Sequence, residues 1–290
     1  MRRNVFGFHG ILITFFSLFV VGLQTEKAQT NSILSWSPPR EVISQSDIGD
    51  CACGPCAVFN AFQFGDPALN NLAKALPGDV PADKVRALIQ RYGGKPSVVT
   101  RSQPRFLADG GMWEDDLVPF INDCLKADGD APVRGERLTL QGNETGNTCM
   151  RRVYDELSHS LSAGFPPIIN LQAYTEHKSF FHHYWKWMDG HFVTVVSVQK
   201  ALPKDASKFS MWVADSQSGR VLQVSVYSDQ NRQAPSLAGS QTQRSGKAPV
   251  QLAHDYPWLT IESPKLEGIL KGRGTNSTQT ICVIGYVARR

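Results

Sequence analysis

Cys53-Gly54-Pro55, followed by Cys56-Ala57-Val58-Phe59-Asn60-Ala61-Phe62, restricts the fold more than any other stretch of this chain. Proline belongs in the first turn of a helix, where its missing N–H would have no intrahelical partner. Ala57, Val58, Ala61 and Phe62 then supply the apolar spacing of a core-facing helix. The run predicts a buried helix over Pro55 to Phe64 with a thiol at its start. The partial positive charge of a helix N-terminus favours an anion there, and a basic neighbour such as histidine would shift the thiol toward the nucleophilic thiolate.

A base and an acid follow on strands. Asp189-Gly190-His191 leads into Phe192-Val193-Thr194-Val195-Val196-Ser197-Val198, a β-branched run that reads as a buried strand. Met211-Trp212-Val213-Ala214-Asp215 reads as the next strand and ends at the turn Ser216-Gln217-Ser218-Gly219. If the two strands pair antiparallel, Asp215 lies near His191. A thiol needs a base to take its proton, and the base needs a third group to fix its orientation. Cys53, His191 and Asp215 are the candidates for those roles. Each has an ordinary alternative, as a structural disulfide, a strand-edge histidine and a turn aspartate, so their weight is joint.

At these residues the chain resembles the papain-like cysteine peptidases, and among them the bacteriocin-leader (double-glycine) peptidase-like branch. Gly164-Phe165-Pro166-Pro167-Ile168-Ile169-Asn170-Leu171 is similar to the strand that precedes the histidine strand in that family. The resemblance covers most of residues 43–227 and the last strand. It implies an α+β, papain-like fold in which a helical N-terminal half, with the nucleophile helix, packs on an antiparallel sheet. It also implies a Cys-His-Asp triad that hydrolyses peptide bonds without a cofactor. Family members place a glutamine a few residues before the nucleophile as an oxyanion donor, and Gln45 is the candidate, together with the backbone N–H of Cys53. Gln45, Cys53-Gly54, Asn60-Ala61 and Asp66-Pro67 also resemble the opening of phytochelatin synthase, which implies acyl transfer as the alternative activity. A catalytically inactive, peptide-binding member is the third reading.

The remaining features bound the setting. The 41% hydrophobic and 10% aromatic content suits one packed domain, expected over residues 29–290. A net charge of +4 with no dense Lys/Arg block after residue 40 implies no nucleic-acid partner. The implied partner is a peptide or protein substrate. Arg2 and Arg3 precede the apolar run Ile11 to Val21, so residues 1–28 read as a secretory signal peptide. The competing reading is an uncleaved anchor over residues 5–23, close to the ~20 residues that span a bilayer, and this would be the chain's only link to a membrane. The expected location is therefore secreted or periplasmic, or else membrane-anchored.

Export would place six cysteines in an oxidising compartment, with Cys124 and Cys149 a plausible bridge around the turn-rich excursion from Ala127 to Asn147. Cys51, Cys53 and Cys56 with His182 or His183 offer a metal-binding alternative, but the spacing is not that of paired Cys-x-x-Cys sites, and no metal is expected. Asn143-Glu144-Thr145 and Asn276-Ser277-Thr278 match the glycosylation triplet. Further helices are expected over Ala82 to Tyr92, Trp113 to Lys126 and Thr148 to Ser162, the last capped by Asn147 or Thr148. Strands are expected over 168–174, 192–198, 209–214, 221–227 and 280–287. Thr25 to Arg40 reads as a flexible lead-in and about 228–249 as a mobile insertion. His177, His182, His183, Trp185 and Trp187 form an expected loop that could line the substrate cleft.

Overall fold

The computed structural model describes residues 32–34, 41–138, 141–178, 183–228, 259–262 and 280–290. The expected signal or anchor segment and nearly all of the expected insertion lie outside the described residues. Those described belong to one compact unit, Asn31–Arg290.

Helices come first. The nucleophile helix α1 (Cys53–Phe64) is buried on nearly every side, which is why it is apolar all round. Its one buried amide, Asn60, accepts a hydrogen bond from the Ile43 N–H at 3.2 Å. It is followed by α2 (Pro67–Ala75), which the sequence reading did not foresee. Asp66 caps it by accepting from the Leu69 N–H at 2.9 Å, and Pro67 opens its first turn. Then comes α3 (Pro81–Leu88), running on into a π-helical turn, Ile89–Gly93. A two-residue hairpin, β2 (Phe106–Leu107) and β3 (Gly111–Met112), leads to α4 (Glu114–Asp128), which contains Pro119 and stops at Gly129 with φ of 76°. The last helix, α5 (Gly146–Ser162), starts two residues earlier than expected. Its cap is Thr145, in a reciprocal capping box with Thr148, so the expected cap at Asn147 or Thr148 is corrected.

Strands follow: β5 (Ile168–Lys178), β6 (His183–Gln199), β7 (Lys208–Asp215), β8 (Arg220–Ser228), β9 (Leu259–Glu262) and β10 (Thr280–Arg289). All pair antiparallel, and because β6 bonds both β5 and β7 the order β6-β5-β10-β9-β8-β7 closes on itself. Two short strands join this ring from segments read as irregular. One is β1 (Ser32–Leu34), inside the expected lead-in, which pairs with Ser197 to Gln199. The other is β4 (Arg134–Arg137), inside the expected excursion, which pairs with β10. The expected His- and Trp-rich loop is largely the outer end of the β5–β6 hairpin, with His177 opposite Tyr184 and Tyr174 opposite Trp187. Aromatic residues favour the pleated backbone, and this composition extends the strands.

Strand alternation divides the core. Ile168 and Phe192 turn toward α1 and the other helices of the N-terminal half. Ile169, Leu171, Val193 and Val195 turn the other way, with Met211, Val213 and Val224, to pack beneath Val153, Leu157 and Leu161 of α5. Cys124 belongs to the first cluster and Cys149 to the second, both as free thiols, so the expected bridge between them is not formed. Each is held instead as a small buried apolar side chain. Among the described residues no helix is long and apolar enough to cross a membrane.

Candidate active site

The start of α1 meets β6 at the helical end of the molecule. Thr194 fastens the two by donating its hydroxyl to the Ala57 carbonyl at 2.7 Å, a buried bond that fixes the height of the helix on the strand. Gly54 keeps the contact close, since a side chain there would meet Met112 Cβ at 3.4 Å and the Phe192 ring at 3.5 Å. Cys53 is thereby set against His191, close enough for the imidazole to act on the thiol. The strand pairing of Thr194 with Ala214 brings Asp215 alongside, as the antiparallel reading requires. His191 Nε2 lies 2.6 Å from Asp215 Oδ1. Asp215 also accepts from the backbone N–H of Gln217 at 3.0 Å and of Ser218 at 3.2 Å, so the turn after β7 holds the carboxylate in place. All three residues expected for the triad are brought together.

The titration behaviour follows from this packing. Burial would push the Cys53 thiol up, but the hydrogen bond and charge of His191, with the backbone N–H groups of Phe192 and Gly54, overcome it and hold the thiol below its ordinary value. Burial would lower the His191 pKa, but hydrogen bonds to Asp215 and Cys53 raise it to about 10. Burial raises the Asp215 carboxyl, whereas His191 and the turn N–H groups lower it more, leaving a carboxylate. A carboxylate only accepts, so Nε2 is the donor and Nδ1 is left for the thiol. The packing thus favours a thiolate beside an imidazolium.

Gln45 opens on the same cleft as Cys53 and His191. Its backbone N–H donates to the Ser216 carbonyl at 2.8 Å, and its side-chain Oε1 accepts from the Ser216 hydroxyl at 3.0 Å. Its Nε2 donates to the Asp50 carbonyl at 2.7 Å. An amide nitrogen carries two protons, so Gln45 retains a second donor for a ligand oxygen. The turn that holds Asp215 also fixes Gln45, through Ser216, a residue that sequence reasoning passed over. No pattern in the chain announces Ser216, because its role depends on Gln45 docking from the far side of the sequence.

No protein-family model, curated protein or solved structure matches this chain. Cys56 turns into the core, where burial raises its thiol well above the ordinary value. Among the described residues no three His, Cys, Asp or Glu side chains are grouped to hold a metal ion. The rest of the cleft wall comes from the loop through Asp50 and Cys51, the start of α4, Arg137, and Asn170, Gln172 and Asp189 on the sheet. Glu114 and Asp115 stand in the first turn of α4, where acids complement the helix dipole, and a place on the cleft was not foreseen for them.

Proposed function

We propose that this protein is an exported, papain-like thiol peptidase. The observation that carries the reading is Cys53, on the first turn of a buried helix, set in one cleft against His191, which is itself hydrogen-bonded to Asp215. The order of the parts supports the papain-like form, with the thiol on a helix of the N-terminal half and the histidine and carboxylate on adjacent antiparallel strands. The basic and apolar N-terminal segment supports export.

In this reading the Cys53 thiolate attacks a peptide carbonyl carbon. The carbonyl oxygen gains the negative charge and is held by the Cys53 backbone N–H, which has no intrahelical partner in the first turn, and by the second Nε2 proton of Gln45. The His191 imidazolium passes its Nδ1 proton to the leaving amine, and the C–N bond breaks to leave a thioester on Cys53. Neutral His191 then takes a proton from water, whose oxygen attacks the thioester, and the acid is released as the C–S bond breaks to return the Cys53 thiolate beside the His191 imidazolium. Asp215 stays ionised and holds the imidazole in the orientation that aims Nδ1 at the thiol.

The test is turnover of a mixture of internally quenched peptides by the processed protein, with Cys53→Ala and His191→Ala as controls. The reading expects cleavage that both substitutions abolish while the fold is retained. Cleavage that survives either one would overturn it. An added amine acceptor in the same reaction separates hydrolysis from acyl transfer by product mass.

A further inference from the structure

The cleft wall is unlike the rest of the surface in charge. The chain carries a net charge of +4, yet among the described residues its cleft is lined by four carboxylates, Asp50, Glu114, Asp115 and Asp189, and by one guanidinium, that of Arg137. Arg137 is already engaged, 2.7 Å from Asp115 and 3.4 Å from Glu114. Gln172 donates its Nε2 to Glu114, and Gln45 gives one Nε2 proton to the Asp50 carbonyl and keeps the other for the oxyanion.

An acceptor remains. Asn170 lies between Ile168, which faces the helical core, and Gln172, which reaches Glu114, so alternation points it to the same side, onto the cleft. Asn170 is only 5% exposed, and its Oδ1 has no hydrogen-bond partner. A buried amide oxygen left unpaired is destabilising, and a ligand donor would relieve it. Asp189 lies close to the reacting centre, two residues before His191, and is oriented by the Gly190 N–H at 2.8 Å. Carboxylates that outnumber the guanidinium among the described residues, together with an unpaired amide oxygen, call for a ligand group that only donates and carries positive charge. Ammonium and guanidinium groups meet that description.

We propose that the cleft selects a substrate bearing a lysine or arginine side chain beside the bond that Cys53 attacks, with Glu114, Asp115, Asp189 and Asn170 receiving the cation. This deepens the peptidase reading and rests on it for the word substrate, but the cation preference can be measured without turnover. Two methanethiosulfonates of opposite charge, the 2-aminoethyl and 2-sulfonatoethyl reagents, form mixed disulfides with a thiolate. Their rates at Cys53 of the full processed chain, located by peptide mass mapping, report the field at the nucleophile. The cation-to-anion rate ratio should exceed that of free cysteine by at least about tenfold at low salt. It should fall severalfold in both Asp115→Asn and Asp189→Asn, and shrink as salt rises. A ratio at or below that of free cysteine, or one that neither substitution moves, overturns the proposal.

Matched quenched peptides with Lys, norleucine or Glu beside the cleaved bond, each with a free or an acetylated N-terminus, supply the second arm. A Lys preference that survives acetylation supports the side-chain assignment. A preference that vanishes on acetylation assigns the cation to the peptide N-terminus and overturns it. If no peptide is cut while the reagent ratio stays high and sensitive to both substitutions, the peptidase reading fails and the cation-selective cleft stands.

Discussion

Cys53 and Cys56 lie one helical turn apart on α1, the first on the turn that meets β6 and the cleft, the second on the face that packs into the helical core. Both are desolvated, and desolvation alone would push both thiols up. Only Cys53 has the partners that reverse this, in His191 and the N–H groups of Phe192 and Gly54. Cys56 has apolar neighbours and stays protonated. Position on a helix near its start is therefore not sufficient to activate a thiol. The strand laid against it decides.

That contrast can be broken in graded steps. The largest effect is expected from His191→Ala, which removes the base and should cut peptide turnover by about 10³-fold or more, leaving Cys53 to label no faster than an ordinary thiol. Asp215→Asn keeps the side-chain size but gives up a charge-assisted hydrogen bond worth about 1.5–3 kcal/mol, so turnover should fall by about 10–100-fold. Steady-state rates would check both. Phe62→Ala acts on the other side of the comparison, emptying the core beneath Cys56. It should cost about 3–5 kcal/mol in denaturant unfolding while Cys53 in the folded fraction keeps its reactivity.

The pH profile sharpens the same contrast. A thiol lowered from 9.0 and a histidine raised to about 10 are both charged only between those two transitions. Turnover should therefore be lost on the acid side as Cys53 is protonated and on the alkaline side near pH 10 as His191 loses its proton. In stability terms, the raised His191 contributes fully below its ordinary 6.5 and loses that contribution as pH rises through about 10. The lowered Cys53 contributes above its ordinary value and loses it as pH falls through its depressed one. The smallest effect is expected far from both thiols, where Thr145→Ala removes the cap of α5 and should cost about 1 kcal/mol with no change in Cys53 labelling.

The parts legible in the sequence were those whose cause is local. Pro55 and the apolar spacing after it marked α1, a β-branched run marked the inner stretch of β6, and Met211 to Asp215 before the turn Ser216 to Gly219 marked β7, so the elements carrying Cys53, His191 and Asp215 could be named with their residues. The helix α2 was legible too, since Asp66-Pro67 is a cap followed by proline and Leu69, Leu72 and Ala73 keep helical spacing, but the dipeptide was read only as part of a resemblance. β1 and β4 carry little local preference, being three and four residues long, and exist because β6 and β10 offer unpaired edges. Ring closure, the Ser216 clamp on Gln45 and the acidic cleft wall all depend on residues far apart in the chain. Glu114 and Asp115 complement a helix dipole equally well whether they face solvent or a cleft, so their sequence context could not separate the two.

The most direct test of the central claim is iodoacetamide labelling of the processed protein as a function of pH, with the alkylated residues found by peptide mass mapping. The thiolate–imidazolium account predicts rapid labelling of Cys53 well below the ordinary thiol pKa of ~8.5, none at Cys56 in the folded protein, and loss of the Cys53 advantage in His191→Ala. Cys53 labelling that rises only near the ordinary thiol pKa, and is unchanged by His191→Ala, would contradict it.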